Sequence, residues 1–331
     1  MNKESFVPPI DLHRHLEGSI RPQTVLDLVT EYNLSLPREM ADLLPLLRVE
    51  KPDPDIMTFI QKLDRAISVL VNYCACGRIA YEAVETAAAE AVEYLELRFS
   101  PGYMARPHGL VPEKVVEAVV YGAKQAAQEL GIKVNLIGIL SRTFGVEACR
   151  SELEALLAYK DEIVGLDLAG DEARFPAEMF VEHFRRARDD GWRVTVHAGE
   201  AAGPESIWAA IQLLGAERIG HATRAFEDMG LIEFLAKNRI GVESCLTSNV
   251  QTTSVVDYAH HPLKRFLESG IRASINTDDP AVSDINLLHE LVFAAQAAGL
   301  STKMVRQAQL DAIAMAFMGE DDKAGFRGRL C

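Results

Sequence analysis

This sequence lacks a framework of closely spaced cysteines, an excess of basic residues and long apolar runs. Its five cysteines form no Cys-x-x-Cys pair and no dense framework, which indicates a reducing compartment. The formal net charge of −14 disfavours nucleic acid as a ligand, because binding to phosphates requires clusters of Lys and Arg. No apolar run approaches the roughly 18 residues of a bilayer span, and no basic stretch with an apolar signal region opens the chain. We therefore expect a cytoplasmic protein without a membrane partner, and the sequence leaves its oligomeric state open.

Short apolar runs, rich in β-branched residues, alternate with segments of helical periodicity. Such runs are typical of parallel strands that are buried on both faces. About eight strands alternating with helices indicate an α/β fold of the (β/α)8 TIM-barrel type. The chain has 331 residues and no shift in composition that marks a boundary, so we expect one domain over 1–331. The predicted strands are 10–13, 94–99, 134–140, 163–168, 193–197, 218–221, 240–245 and 271–277.

The connection between the first two predicted strands is unusually long. It spans 14–93, more than one crossover helix requires, and it contains helical patterns at 24–32 and 56–71. The Pro/Asp stretch 51–55 predicts a turn between these patterns. Because the loops after barrel strands build the mouth of the active site, this insertion is predicted to form a wall or lid over the site.

Polar residues suited to chemistry follow the C-terminal ends of nearly all the predicted strands. In a barrel these ends surround one pocket, so residues far apart in sequence converge on a single site. Separate structural hydrogen bonds are the alternative, but they would not explain why the polar residues follow the strand ends. The residues are His13 and His15, Arg98, Asp167, His197, His221, Glu243 with Ser244, and Asp278 with Asp279.

Four of these residues match the ligand set of a catalytic zinc. Residues i and i+2 of a strand share one face, so His13 and His15 can direct both imidazoles at one cation. His197 and Asp278 complete a set that leaves a position for water. Three imidazoles favour zinc over magnesium or calcium, with iron and manganese as alternatives. Segment 165–172, at the end of the fourth strand, has no lysine to bridge a second metal, so we expect one zinc per chain.

Three further residues have the chemistry of proton transfer or heterocycle binding. In a site with one metal, His221 can take the proton of the attacking water or hold the hydroxide by hydrogen bonding. Glu200 follows His197 at a strand-to-helix turn and is a candidate general acid, because burial keeps a carboxyl protonated. The alternative role for Glu200 is a helix N-terminal acid favoured by the helix dipole. Asp279 is displaced to one side of Asp278, where it can hydrogen-bond a heterocycle.

Seven short motifs occur in the order found in one known family. They are DLHRHLEG at 11–18, ELRFSP at 96–101, DLAGDE at 167–172, VHAGE at 196–200, IGH at 219–221, SCLTSN at 244–249 and NTDDP at 276–280. Over almost its whole length the chain resembles the adenosine/AMP deaminase family of the amidohydrolase superfamily, and its bacterial members most of all.

This resemblance implies a reaction and a role for each matching residue. It implies zinc-dependent hydrolysis of adenosine and deoxyadenosine to inosine, deoxyinosine and ammonia, in purine salvage. It implies that Glu200 donates a proton to purine N1 and that His221 assists the water, so that hydroxide attacks C6. It further implies that the Gly170 N–H meets N3 and that Asp279 engages N7. The implied substrate contacts are His15, Glu17, Gly170 and Asp279, and the implied zinc ligands are His13, His15, His197 and Asp278.

Two positions depart from the family pattern. Glu17 stands where adenosine-specific members usually have Asp, and Ala222 stands where Gly is frequent. In the family the carboxylate at the first position contacts the ribose 5′-hydroxyl, so Glu17 bears on sugar recognition. Adenine, aminodeoxyfutalosine, methylthioadenosine and N6-substituted nucleotides are therefore alternative substrates, although a phosphate near Glu17 would be repelled.

Two other kinds of protein fit part of the pattern. An aminohydrolase of a pterin, guanine or cytosine would keep the metal ligands without the purine-facing Gly170 and Asp279. A non-catalytic barrel could bind a nucleoside in the same pocket, but it would need neither the acid Glu200 nor His221 beside an open metal position.

Overall fold

The computed structural model describes residues 8–51 and 56–329, and within it eight parallel strands follow one another in chain order. Each strand pairs with the next, which is the order of a (β/α)8 barrel, so the predicted fold class is confirmed. The strands are β1 Ile10–His15, β2 Tyr94–Phe99, β3 Lys133–Ser141, β4 Ile163–Ala169, β5 Arg193–Ala198, β6 Arg218–His221, β7 Gly241–Ser244 and β8 Ala273–Ile275.

The barrel closes through residues that follow β8 rather than through β8 itself. The strand predicted at 271–277 is wrong in length, because β8 has only three residues. Beyond it, the Asp278 N–H donates to the His13 carbonyl at 2.8 Å, and the His15 N–H donates to the Asp278 carbonyl at 2.8 Å. A single parallel bridge between Arg14 and Asp278 results. Asp278 is thus fixed to β1 by its backbone.

Helices connect the strands and cover the barrel. Many begin with a clear cap: the Asn72 side chain accepts from the Ala75 N–H at the start of α4. The α-helices are α1 Pro22–Glu31, α2 Met40–Leu47, α3 Ile56–Ile67, α4 Tyr73–Ala89, α5 Pro101–Ala105, α6 Pro112–Leu130, α7 Val146–Leu157, α8 Val181–Asp189, α9 Pro204–Ala209, α10 Met229–Asn238, α11 Leu246–Gln251, α12 Leu263–Glu268, α13 Pro280–Ser283, α14 Leu287–His289, α15 Ala295–Ala297, α16 Thr302–Met315 and α17 Glu320–Gly328. Single π-helical turns extend α9 (Ala210–Leu214) and follow α14 (Glu290–Ala294).

The long connection after β1 contains four helices, α1 to α4. Its predicted position over the site is confirmed for α3, since Phe59, Ile60, Leu63 and Asp64 line the main cavity of the barrel mouth. The predicted helix at 56–71 ends earlier, at Ile67. The turn predicted at 51–55 falls almost wholly on 52–55, which lie outside the described residues.

The core lies between the barrel wall and the helical layer. Strand residues that face outward, such as Val194 and Val196 of β5, are buried against helices, while the alternate residues Thr195 and His197 face the barrel interior. None of the helices within the described ranges combines the length and apolar character that a bilayer crossing needs. The single-domain organisation over 1–331 stays a prediction.

Candidate active site

The four predicted metal ligands meet at the C-terminal mouth of the barrel. The Nε2 atoms of His13 and His197 are 3.1 Å apart, and His15 Nε2 lies 3.3 Å from the first and 3.2 Å from the second. Asp278 Oδ1 is 3.2 Å from the Nε2 atoms of both His13 and His15. All four are buried or nearly so. They come from opposite sides of the barrel, and only its closure brings them together.

These distances fit one cation shared by all four residues. Metal–ligand bonds of about 2.0 to 2.1 Å place neighbouring ligand atoms about 3 Å apart, and the five separations of 3.1 to 3.3 Å are of this size. His13 Nδ1 lies 2.7 Å from Glu243 Oε2, and His197 Nδ1 lies 3.0 Å from Asp167 Oδ1. Each Nδ1 proton is therefore donated to a carboxylate, which leaves the Nε2 lone pairs facing one another. Lone pairs in that arrangement are stabilised by a shared cation.

Arg98 joins the two carboxylates behind the ligands. Its Nη1 donates to Asp167 Oδ2 and its Nη2 to Glu243 Oε2, each at 2.8 Å. Burial alone would raise the pKa of Asp167, but His197 and Arg98 outweigh it and hold that pKa well below its usual range. For Glu243, Arg98 and Arg218 likewise outweigh burial and lower the pKa. Three strand-end residues without a predicted role, Arg98, Asp167 and Glu243, thus orient the imidazoles of the predicted ligands His13 and His197.

Glu172 fixes the loop that carries Glu200. Its carboxylate accepts the N–H groups of the turn after β5 at 2.6 to 3.2 Å, which are those of Gly199, Glu200, Ala201 and Ala202. It also accepts from the Ser206 hydroxyl at 2.5 Å. The sequence offered Glu172 only as the last letter of a motif, because nothing local shows that four amides of a distant loop will surround it.

Glu200 projects from this loop into the cavity beside His221. Burial raises the pKa of Glu200, and the nearby Asp278 carboxylate raises it further against the opposing effect of His221. Glu200 Oε2 lies 3.7 Å from His221 Nε2, which in turn is 4.0 Å from Asp278 Oδ2. These separations are too long for direct hydrogen bonds. The three groups therefore face a common point next to the ligand set.

The backbone around His221 shows why glycine is frequent in the family at position 222, where this chain has alanine. His221 and Ala222 have φ values of 64° and 51°, in the left-handed region that favours glycine. Ala222 is fully buried there, and its N–H donates to the Gly220 carbonyl at 2.9 Å.

His221, Cys245 and Asp278 also form a second cluster of possible metal ligands. Burial raises the pKa of the Cys245 thiol well above its usual value.

The same cavity, of 260 Å³, holds the remaining predicted residues. Gly170 lines it with φ 111°, and a side chain there would collide with Thr143 Oγ1. Burial and the adjacent Asp278 raise the pKa of Asp279, and its buried Oδ1 has no hydrogen-bond partner within the described chain. A side chain at Gly18 would overlap Asp279.

Glu17 forms the cavity wall beside α3. Its Oε1 accepts from the Ser100 N–H at 2.7 Å, while its buried Oε2 has no partner among the described residues. Burial raises the pKa of Glu17 to about 7, against the opposing effect of the Ser100 N–H. The described residues that line the cavity include no Lys or Arg. The predicted site residues therefore line one cavity, except His13, which lies behind it and meets the other three predicted ligands.

A barrel whose strand ends carry three histidines and an aspartate with this geometry belongs to the class of metal-dependent amidohydrolases. Comparison with known proteins gives the family. The adenosine deaminase family model matches residues 8–331, and the chain belongs to that family. It is 54% identical over 328 residues to adenosine deaminase of Escherichia coli O1:K1, covering 99% of this chain and 98% of that protein.

Solved structures agree on the fold. The adenine deaminase of Arthrobacter aurescens superposes with a TM-score of 0.91 at 24% identity, covering 98% of each chain. An amidohydrolase of Burkholderia ambifaria, solved with bound Zn, has a TM-score of 0.90 at 25% identity, covering 99% of this chain and 90% of that chain.

Proposed function

We propose that this protein catalyses the hydrolytic deamination of adenosine and deoxyadenosine to inosine and deoxyinosine, with release of ammonia. One observation carries the proposal: the three imidazole Nε2 atoms lie 3.1 to 3.3 Å apart and Asp278 Oδ1 lies 3.2 Å from two of them, beside Glu200, in the cavity that Glu17 and Asp279 also line. The adenosine deaminase relative at 54% identity supports this substrate.

Zinc is the metal we propose, at one ion per chain, held by His13, His15, His197 and Asp278. When bound, it supplies a Lewis acid that makes water nucleophilic near neutral pH. The bound Zn of the Burkholderia ambifaria amidohydrolase supports this choice over iron or manganese.

The acids of the cavity perform the proton chemistry. The raised pKa of Glu200 favours its protonated form, from which it donates to purine N1 and makes C6 electrophilic. Asp279, whose pKa is raised as well, donates a hydrogen bond to N7. The Gly170 N–H meets N3, so the purine is held at three points with C6 toward the metal ligands. His221 acts on the attacking oxygen.

The 5′ end of the substrate lies against Glu17. Its unpartnered Oε2 is available to the 5′-hydroxyl, whereas Oε1 is held by the Ser100 N–H. A 5′-phosphate would meet acids and no cation among the described lining residues, which favours nucleosides over nucleotides. A cytoplasmic location and a role in purine salvage are further parts of the proposal.

A substrate panel tests the proposal. Zinc-loaded protein is incubated with adenosine, deoxyadenosine, adenine, methylthioadenosine and AMP while ammonia release is followed. We expect the highest kcat/KM for the first two and the lowest for AMP. Deamination of adenine or methylthioadenosine in preference to adenosine would overturn the substrate, and binding of adenosine without ammonia release would identify a binding protein.

A further inference from the structure

A buried chain of hydrogen bonds runs from the start of α12 to the catalytic cavity. The Leu263 N–H donates to His261 Nδ1 at 3.1 Å. His261 Nε2 is 3.0 Å from Asn249 Oδ1, and Asn249 Nδ2 is 3.0 Å from His221 Nδ1. His261, Asn249 and His221 are each at most 3% exposed. No role was predicted for His261 or Asn249 from the sequence.

The hydrogen bond at the Leu263 end of this series determines where the protons of the following groups lie. A backbone N–H can only donate, so His261 Nδ1 must accept. Burial lowers the pKa of His261 to about 3, which keeps the ring neutral with its single proton on Nε2. That proton is donated to Asn249 Oδ1, so the amide nitrogen must face His221.

The amide nitrogen of Asn249 has only hydrogens to offer, so His221 Nδ1 accepts one of them and carries no proton in the neutral ring. A second contact supports this orientation: Glu200 Oε1 lies 3.4 Å from the same Asn249 Nδ2. With Nδ1 accepting, the ring proton of neutral His221 is on Nε2. This is the nitrogen that faces Glu200 Oε2 and Asp278 Oδ2.

We propose that Asn249 and His261 are positioning residues that hold His221 as the Nε2–H tautomer, so that it donates a hydrogen bond to the attacking oxygen and does not remove its proton. The catalytic part rests on the proposed function, whereas the tautomer does not. The proton of the attacking water then passes to Asp278 Oδ2, which faces the same point, because Glu200 already carries the proton that it donates to the purine. From Asp278 this proton goes to the amino group, which leaves as ammonia.

The tautomer also bears on the number of metals. His221 Nε2 carries a proton and the Nδ1 lone pair accepts from Asn249, so neither nitrogen is free to ligate. The second cluster of possible ligands, His221 with Cys245 and Asp278, then lacks its imidazole. The hydrogen bonds of His221 therefore favour one metal per chain, as does the absence of a bridging lysine in segment 165–172.

Nitrogen NMR tests the tautomer directly. Zinc-loaded protein labelled with 15N in its nine histidines gives separate signals for protonated and unprotonated ring nitrogens. The His221 pair is assigned by its disappearance in His221→Gln. We expect a protonated Nε2 and an unprotonated Nδ1, and the opposite pattern would overturn the proposal. This result is independent of which substrate the enzyme deaminates.

Variants of Asn249 test the catalytic consequence. In Asn249→Asp the carboxylate can only accept, so His221 should shift its proton to Nδ1 and present a lone pair to the cavity. We expect kcat to fall roughly 100-fold with little change in KM, the loss typical of removing one preorganised donor. Asn249→Ala removes the amide without adding charge beside Glu200 and should lose activity with a mixture of tautomers. Wild-type kcat in both variants would overturn the proposal.

Variants of His261 separate positioning from packing. His261→Gln keeps an N–H for Asn249 Oδ1, whereas His261→Ala does not. We expect kcat to fall about tenfold in His261→Ala, the effect of one lost hydrogen bond, and to be largely retained in His261→Gln. His183→Ala is the matched control, because His183 is also buried but bonds the Val146 carbonyl away from the cavity. Equal losses in all three would assign His261 a packing role only.

Discussion

Glu200 and Glu243 are glutamates in the same buried site, and their pKa values move in opposite directions. Burial raises the pKa of both, but Glu243 lies against Arg98 and Arg218, which lower its pKa well below the ordinary value, while Glu200 faces Asp278, which raises its pKa further. The neighbouring charges therefore favour the neutral form of Glu200, in the cavity, and the charged form of Glu243, behind the predicted metal ligands.

Glu200→Gln should keep the fold and the metal but lose the donated proton. We expect kcat to fall roughly 100-fold or more, since the amide preserves shape without acting as an acid. His221→Ala should lose a similar factor. Metal content and steady-state kinetics on adenosine measure this, with exposed Glu205→Gln as the control. Near-normal turnover of Glu200→Gln would show that another group is the acid.

Glu17 should control recognition of the 5′ end and not the chemistry. In Glu17→Ala we expect adenosine and deoxyadenosine to lose about 1 to 3 kcal/mol in kcat/KM, the effect of one lost hydrogen bond to a buried acid. Adenine and 5′-deoxygenated nucleosides never make that bond and should be affected much less. Glu17→Asp should retain zinc and adenosine activity. Equal losses for all substrates would instead assign Glu17 to the support of His15 and its loop.

At the scale of elements, four amides of the turn between β5 and α9 converge on the carboxylate of Glu172. In Glu172→Gln one acceptor oxygen becomes a donor that faces the N–H groups of this turn. We expect a loss of about 1 to 3 kcal/mol in the free energy of unfolding, and a fall in kcat because Glu200 is displaced.

Urea unfolding and steady-state kinetics test this prediction. The neighbouring Asp171→Asn is the matched control, since Asp171 accepts from the Arg174 N–H outside the turn. A Glu172→Gln enzyme with unchanged stability and kcat would mean that the turn keeps its conformation without the carboxylate.

At the scale of the whole molecule, metal binding and barrel closure share Asp278. Its backbone joins β1 to the segment after β8, and its side chain is a predicted ligand. Removal of metal should therefore abolish activity and lower Tm by several degrees, since a ligand at a thousand times its Kd stabilises by about 4 kcal/mol.

One equivalent of zinc should restore both activity and Tm. Metal analysis and thermal unfolding measure this, and His13→Ala should show no response to zinc. A requirement for two equivalents, or activity after verified removal of all metal, would contradict the site with one metal.

Stability should also depend on pH through Glu290, whose pKa burial raises to about 8. The folded state keeps this proton above the ordinary pKa of 4.5, whereas the unfolded state loses it. The contribution of Glu290 to the free energy of unfolding is therefore complete below pH 4.5 and is lost as the pH rises toward 8. The loss is about 1.4 kcal/mol for each unit by which the pKa values of the folded and unfolded states differ. Urea unfolding across this range should show a shallower fall in Glu290→Gln than in exposed Glu233→Gln. Parallel profiles of the two variants would show that Glu290 does not cause the pH dependence of stability.

The sequence by itself predicted the eight strands, the barrel that they form and the polar residues that meet at its mouth. These follow from local patterns, because buried parallel strands are continuously apolar and their polar ends stand out, as at His197 and Asp278. The position of Glu17, Gly170 and Asp279 in the site came from motifs, which keep their order along the chain.

Only the tertiary structure decided how those residues are held. Glu172 surrounded by a loop 27 residues away, Arg98 between two carboxylates, and the chain from Leu263 to His221 depend on contacts between distant segments. No local pattern encodes such contacts, since a buried polar residue finds its partner only when the barrel closes. The proton on His221, which separates a hydrogen-bond donor from a base, is set by that closure.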